Sequence, residues 1–208
     1  MLKLNKMQKL PDKYALTIKP EEYLKMGLSH CGAYSVKAIL SAYGKDTKGH
    51  PKEYHPGLLG RITGATLNRE YWVRVLNSHG IKAEAKTAKE LTDNKKLETL
   101  KKILADNRPV MIAIANGYDS QGRYIPVRRF FVGHWITLWG YEDKKQIFYV
   151  YDSCVPKERY DKTIPIGNTK RTYKQILRDW KGSLLSMIIL RGFEKYHYIE
   201  VTLNTPGG

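Results

Sequence analysis

The stretch Gly133-His134-Trp135-Ile136-Thr137-Leu138-Trp139-Gly140-Tyr141 runs into a polar turn, Glu142-Asp143-Lys144-Lys145, and returns as Ile147-Phe148-Tyr149-Val150-Tyr151-Asp152. β-branched and aromatic residues on both sides of a polar turn predict a β-hairpin. With the turn centred on Asp143, antiparallel pairing sets His134 opposite Asp152, and directly opposed side chains have Cβ atoms roughly 5 Å apart. A carboxylate there orients an imidazole. This register groups His134, Ile136, Leu138, Phe148, Val150 and Asp152 on one face and Trp135, Thr137, Trp139, Tyr149 and Tyr151 on the other. The alternate aromatics are expected to pack beneath a helix.

Upstream of the hairpin, Val110-Met111-Ile112-Ala113-Ile114-Ala115 reads as a buried strand directly after Pro109. Before it the period is helical. One helix is expected from about Cys31 to Tyr43, stopped by Gly44, a second near Leu67–Ser78 ended by Gly80, and a third carrying Leu97, Leu100, Ile103 and Leu104 on one stripe. A glycine- and proline-rich loop, about residues 45–65, separates the first two. Beyond the hairpin, Thr172 and Gln175 stand at capping-box spacing before a helix of about Tyr173–Lys181. Further strands are expected at Ser186–Leu190 and Tyr196–Leu203. Helices first and strands later give an α+β class.

The chain has 208 residues, a length for one domain with a full core. It is expected to comprise an N-terminal extension of about residues 1–20, a helical part of about 21–108 and a β-sheet part of about 109–203. Lys+Arg of 36 against Asp+Glu of 20 leaves a formal charge of +16, a field that draws acidic partners. The basic residues are scattered, and no nucleic-acid motif organises them, so nucleic acid is a partner the charge permits and no motif indicates. No apolar run reaches the ~18 residues of a membrane span, and the N-terminus lacks a signal-peptide pattern. With two cysteines and no disulfide expected between them, a cytoplasmic setting is expected, although leaderless secretion fits as well.

Cys31 opens the first expected helix within Ser29-His30-Cys31-Gly32-Ala33-Tyr34-Ser35. A catalytic cysteine attacks as the thiolate, and a helix N-terminus with a nearby imidazolium favours that form. Free backbone N–H groups at Cys31 and Gly32 are candidate oxyanion donors. His134 is then the general base and acid, and Asp152 the residue that orients it.

These residues carry a resemblance. Cys31-Gly32 at a helix start, Gly133-His134 opening a strand that ends in Gly140-Tyr141, and a following strand that ends in Asp152 resemble papain-like cysteine peptidases of the bacteriocin-processing, double-glycine branch. The resemblance spans about residues 20–155. It implies the papain-like fold, no cofactor, a Cys31-His134-Asp152 triad and a polypeptide substrate cleaved at a peptide or isopeptide bond through a thioester. Ala33 and Ser153 stand where the branch commonly has proline, and no glutamine stands among Tyr23, Leu24, Lys25 and Met26, where the branch supplies an oxyanion donor. Related folds also host acyltransferases and transglutaminase-like enzymes, and an inactive module with a basic binding surface is a further alternative.

Other residues receive structural assignments. Cys154 is read as a buried or incidental thiol and His30 as a local hydrogen-bonding residue. His50, His55 and Asp46 lack the spacing of a metal site, so no metal is expected. Arg128 and Arg129, in a segment leading to His134, are candidates for reading an acidic substrate segment. The terminal Pro206-Gly207-Gly208 ends in the double glycine that relatives of this branch cleave after, and a flexible tail is the expectation there.

Overall fold

The computed structural model describes residues 9–27, 29–45, 49–55, 57–64, 68–119, 121, 123–185 and 195–202. Helices pack on both faces of a seven-stranded sheet in which every pairing is antiparallel. The strands are β1 (Lys13–Ala15), β2 (Ala83–Thr87), β3 (Val110–Ala115), β4 (Gly133–Glu142), β5 (Ile147–Tyr151), β6 (Thr169–Thr172) and β7 (His197–Val201). Their order is β2-β7-β3-β4-β5-β6, with β1 on β4.

The β3 run is apolar at every position because both faces of the sheet are covered. Val110, Ile112 and Ile114 join one cluster with Ile136 and Leu138, packed under α4 (Asp93–Ala105) and α6 (Tyr173–Asp179) through Leu100, Ile103, Leu104 and Ile176. Met111 and Ala113 join the other with Trp135, Ile199 and Val201, under α1 (Cys31–Ala42) and α3 (Arg69–Ser78) through Val36, Ile39, Leu40, Trp72 and Leu76. Burying α1 over ten consecutive residues, Cys31 to Leu40, accounts for its lack of a polar face.

Local chemistry sets the helix ends. Gly44, at φ 64°, follows α1, the left-handed stop that glycine tolerates best. Asn68 caps α3 by accepting from the Tyr71 N–H at 3.2 Å, and Thr92 caps α4 through the Lys95 N–H at 3.4 Å. At α6 the capping box forms: the Gln175 N–H donates to Thr172 Oγ1, and the Thr172 N–H to Gln175 Oε1.

Several expectations need correction. Residues 13–15, assigned to an N-terminal extension, form β1 against Gly140–Glu142. The helical part contains β2, and the loop after Gly44 contains a 3-10 turn at Pro51–Tyr54 and α2 (Gly57–Thr63). The segment before His134 contains α5 (Arg128–Phe131). The expected strand Ser186–Leu190, the start of the second helix at Leu67 and the terminal Pro206-Gly207-Gly208 lie outside the described residues. The hairpin exists, but its register differs. Glu142 pairs with Ile147, Gly140 with Tyr149 and Thr137 with Tyr151, with a bulge between Leu138 and Gly140. The Gln146 N–H closes the turn on the Asp143 carbonyl at 3.0 Å, with Gln146 at φ 51°. The turn therefore lies beyond Asp143, and β5 ends at Tyr151, so Asp152 occupies no strand position opposite His134.

Candidate active site

Cys31 is the first residue of α1 and is 9% exposed. The preceding His30 has φ 83°, a left-handed conformation rare for a residue with a Cβ. Its ring holds that turn: Nδ1 lies 2.9 Å from Ser29 Oγ and Nε2 lies 2.8 Å from the Arg61 carbonyl of α2. His30 is a local structural residue, as expected. The Tyr34 N–H bonds to the His30 carbonyl at 3.1 Å, so the N–H groups of Gly32 and Ala33 lie in the turn before it, where a helix has no acceptors of its own. Gly32 also admits the Trp72 ring, since a Cβ there would lie 2.4 Å from that indole.

His134 enters from β4, opposite Ile114 of β3, and is 1% exposed. Its Nε2 lies 2.8 Å from Asp152 Oδ1. The carboxylate is held from every side: Arg171 Nη2 donates to Oδ2 at 2.8 Å and the Cys154 N–H to Oδ1 at 2.9 Å. Asn168 locks the Asp152 backbone, accepting from its N–H and donating to its carbonyl, each at 2.9 Å. Arg171 lies 4.1 Å above the Tyr118 ring, which fixes the guanidinium.

These contacts decide the charges. Burial opposes protonation of His134, but the negative charges of Cys154, Asp152 and Cys31 outweigh it and hold the imidazole pKa well above its ordinary value. Burial likewise opposes ionisation of Asp152, yet His134, Arg171 and the Cys154 N–H hold its carboxyl far below the usual range. Both shifts favour the charged forms, an imidazolium facing a carboxylate.

The structure thus brings His134 and Asp152 into direct contact, by a route other than strand opposition. It also places Cys154 in the site. The Cys154 Sγ lies 3.9 Å from His134 Nδ1, and Asn116 Nδ2 lies 3.9 Å from the same sulfur. Burial pushes the Cys154 thiol up, with Asp152 and Cys31 adding to that and His134 opposing it. Cys154 also lines a cavity of about 310 Å³ together with Tyr118, Asp152, Arg159, Arg171 and Gln175. No sequence signal marks Arg171, because β6, which carries it, reads Thr169-Lys170-Arg171-Thr172 and lacks an apolar strand pattern.

The remaining candidates go elsewhere. Arg129 is tied to Asp179 at 3.0 Å and to the Arg178 carbonyl at 3.0 Å. The tryptophans Trp135 and Trp139, with Tyr149 and Tyr151, are core residues. His50 Nδ1 accepts from the Lys52 N–H at 3.2 Å, and His55 stacks edge-on against His30 and Trp72. Asp46 lies outside the described residues. Among the described residues, the group that could hold a metal is instead His134, Asp152 and Cys154, whose donor atoms lie within 4.8 Å of one another.

Solved structures similar to this chain include the following three. A putative C39-like peptidase from Bacillus anthracis superposes with a TM-score of 0.56 at 13% identity, covering 92% of this chain and 98% of that one. A double glycine motif protease from an AMS/PCAT transporter, solved with its leader peptide, gives a TM-score of 0.47 at 12% identity, covering 94% and 100%. UfSP from C. elegans gives 0.47 at 12% identity, covering 96% of this chain and 35% of that one. No curated protein matches the chain. The model of the Peptidase_C39 like family matches residues 15–180, from β1 through α6 and so across Cys31, His134 and Asp152, and the chain belongs to that family.

Proposed function

We propose that this chain is a cysteine peptidase, acting as a single domain, in which Cys31 is the nucleophile, His134 the proton carrier and Asp152 the residue that orients His134. The 2.8 Å contact between His134 Nε2 and Asp152 Oδ1 carries the reading. It fixes the ring so that Nδ1 is the atom left for a thiol, and it supports the imidazolium that a thiolate needs beside it. Membership of a peptidase-like family supports a polypeptide substrate.

The Cys31 thiolate attacks the carbonyl carbon of the scissile amide, and the backbone N–H groups of Cys31 and Gly32 receive the oxyanion. His134 passes its Nδ1 proton to the departing amine, leaving a thioester on Cys31. It then takes a proton from water as that water attacks the thioester, and the Cys31 thiolate leaves, restoring the imidazolium–thiolate pair. The net charge of +16 favours an acidic segment in the substrate. Two free cysteines suit a reducing, cytoplasmic setting.

Competitive labelling with iodoacetamide at neutral pH tests the assignment. Cys31 is expected to label faster than Cys154, and Cys31→Ala to abolish cleavage of a peptide library. Faster labelling of Cys154, or cleavage that survives Cys31→Ala, would overturn it. Adding a primary amine distinguishes hydrolysis from acyl transfer by the product formed.

A further inference from the structure

Arg171 has more donors than the Asp152 carboxylate uses. Its Nη2 donates to Asp152 Oδ2 at 2.8 Å, while Nη1 is buried and has no hydrogen-bond partner among the described residues. Buried charged donors are paired as a rule, because leaving one unmet costs free energy. The Arg171 side chain is one wall of the cavity of about 310 Å³ beside Cys154. We propose that this cavity is a binding site for a carboxylate, received by Arg171 Nη1 and Arg159.

The lining favours a single negative charge. It carries three cations, Arg159, Lys170 and Arg171, against two carboxylates, Asp119 and Asp152. Most of these charges are already answered. Lys170 pairs with Asp161 at 2.9 Å, Asp119 pairs with Arg123 at 2.8 Å, and Asp152 is shared by Arg171 and His134. Arg159, exposed on the 3-10 turn Lys157–Arg159, makes no ion pair among the described residues. One cation is left over, which suits a monoanion better than a phosphate dianion. A carboxylate also matches the planar donor fork of a guanidinium. Tyr118, Val155 and Pro156 supply an apolar wall for the methylene groups behind it.

The Arg171 fork is set before a ligand arrives. Its guanidinium lies 4.1 Å from the centre of the Tyr118 ring, whose hydroxyl accepts from Gln175 Nε2 at 2.9 Å. Gln175 is held in turn by the Thr172 N–H. A donor fixed in this way loses little freedom on binding. The cavity shares Asp152 and Cys154 with the candidate active site, and those two residues meet the Nε2 and Nδ1 sides of the His134 ring. A ligand in the cavity therefore lies against both residues that bracket the imidazole. Two sources supply the chemistry. One is an acidic side chain of a polypeptide substrate, which rests on the peptidase reading; the other is a free short-chain carboxylate, which does not.

The test is NMR titration of the isotope-labelled full-length chain, with ionic strength held constant by sodium chloride so that general attraction to a basic protein is constant too. The probes are N-acetyl-glutamic acid amide, its neutral glutamine counterpart, and butyrate. Saturable shifts of the Cys154 amide and the Arg171 guanidinium signals are expected with a carboxylate probe and not with the glutamine compound. Arg159→Glu, which removes no ion pair of the fold, should weaken that binding roughly fivefold or more. Tighter binding of the glutamic acid amide than of butyrate assigns the site to a polypeptide side chain, and the reverse order assigns it to a free carboxylate. The proposal is overturned if neither carboxylate gives a saturable shift, if the glutamine compound shifts the same signals equally, or if Arg159→Glu binds like the parent. No cleavage is measured, so the site and the peptidase reading can fail independently.

Discussion

Asp152 reaches His134 from outside the strand that leads to it. Extending the observed pairing of Thr137 with Tyr151 would bring Cys154, two residues beyond Asp152, opposite His134. The chain instead turns after Tyr151, and the Val155 N–H closes that turn on the Asp152 carbonyl at 3.0 Å. The turn delivers a carboxylate to Nε2 and a thiol to Nδ1 of the same ring.

The charge state of His134 should follow from that turn. In imidazole NMR the His134 titration midpoint is expected well above the ordinary value of about 6.5. A raised native pKa stabilises the fold fully below that ordinary value, and the contribution is lost as pH rises through the native one. The lowered pKa of Asp152 works in the opposite sense, contributing above the ordinary carboxyl value and fading as pH falls through the native one. Asp152→Asn should move the His134 midpoint downward. An unchanged midpoint would mean that the carboxylate does not support the imidazolium.

Arg171 should matter through the Asp152 carboxylate that it pairs with. Arg171→Gln leaves the buried Asp152 carboxylate without its cation, and breaking a buried pair by removing one partner costs about 3–5 kcal/mol. Urea unfolding at neutral pH is the measurement, and a loss below about 1 kcal/mol would contradict the structure.

Gly32 is predicted to be intolerant of the smallest side chain. Gly32→Ala drives a methyl into the Trp72 indole, and overpacking of this kind costs about 1–3 kcal/mol. Trp72→Phe in the same chain should recover part of that loss. A double-mutant cycle with no coupling between the two positions would refute the contact.

His55 gives the protein an acid-sensitive element beside the turn that leads into Cys31. Burial, with His30 nearby, pushes its pKa down to about 4. The unfolded chain takes up that proton near pH 6.5 and the native chain does not, so this contribution is whole above pH ~6.5 and declines toward pH ~4. Urea midpoints measured from pH 7.5 to 4.5 should fall, and His55→Gln should flatten the decline relative to the parent.

Long periodic segments were legible in the residues. The β3 run, the α1 stripe with Gly44 and the capping box at Thr172 each state their local structure through one strong physical preference. The short strands β1, β2 and β6 were not legible, because three to five residues of mixed polarity become strands only when a neighbour offers a ladder. The hairpin was readable as a hairpin while its register was not: the bulge at Trp139 and the left-handed Gln146 shift the pairing without altering the apolar pattern. His134 and Asp152 were accessible from sequence because an imidazole and a carboxylate beside apolar strands are rare enough to notice. Asn168 and Arg171, which hold Asp152, sit among ordinary polar residues 16 and 19 positions away from it and carry no local signal.

The sheet ends in β2 on one side and β6 on the other. Both carry charge, with Glu84 and Lys86 on the first and Lys170 on the second. A wide antiparallel sheet with bare outer ladders is a template on which further copies of a chain can add strand to strand, and charged outer strands oppose such growth. The same polar sequences that concealed these two strands thereby protect the molecule from polymerising through its own sheet.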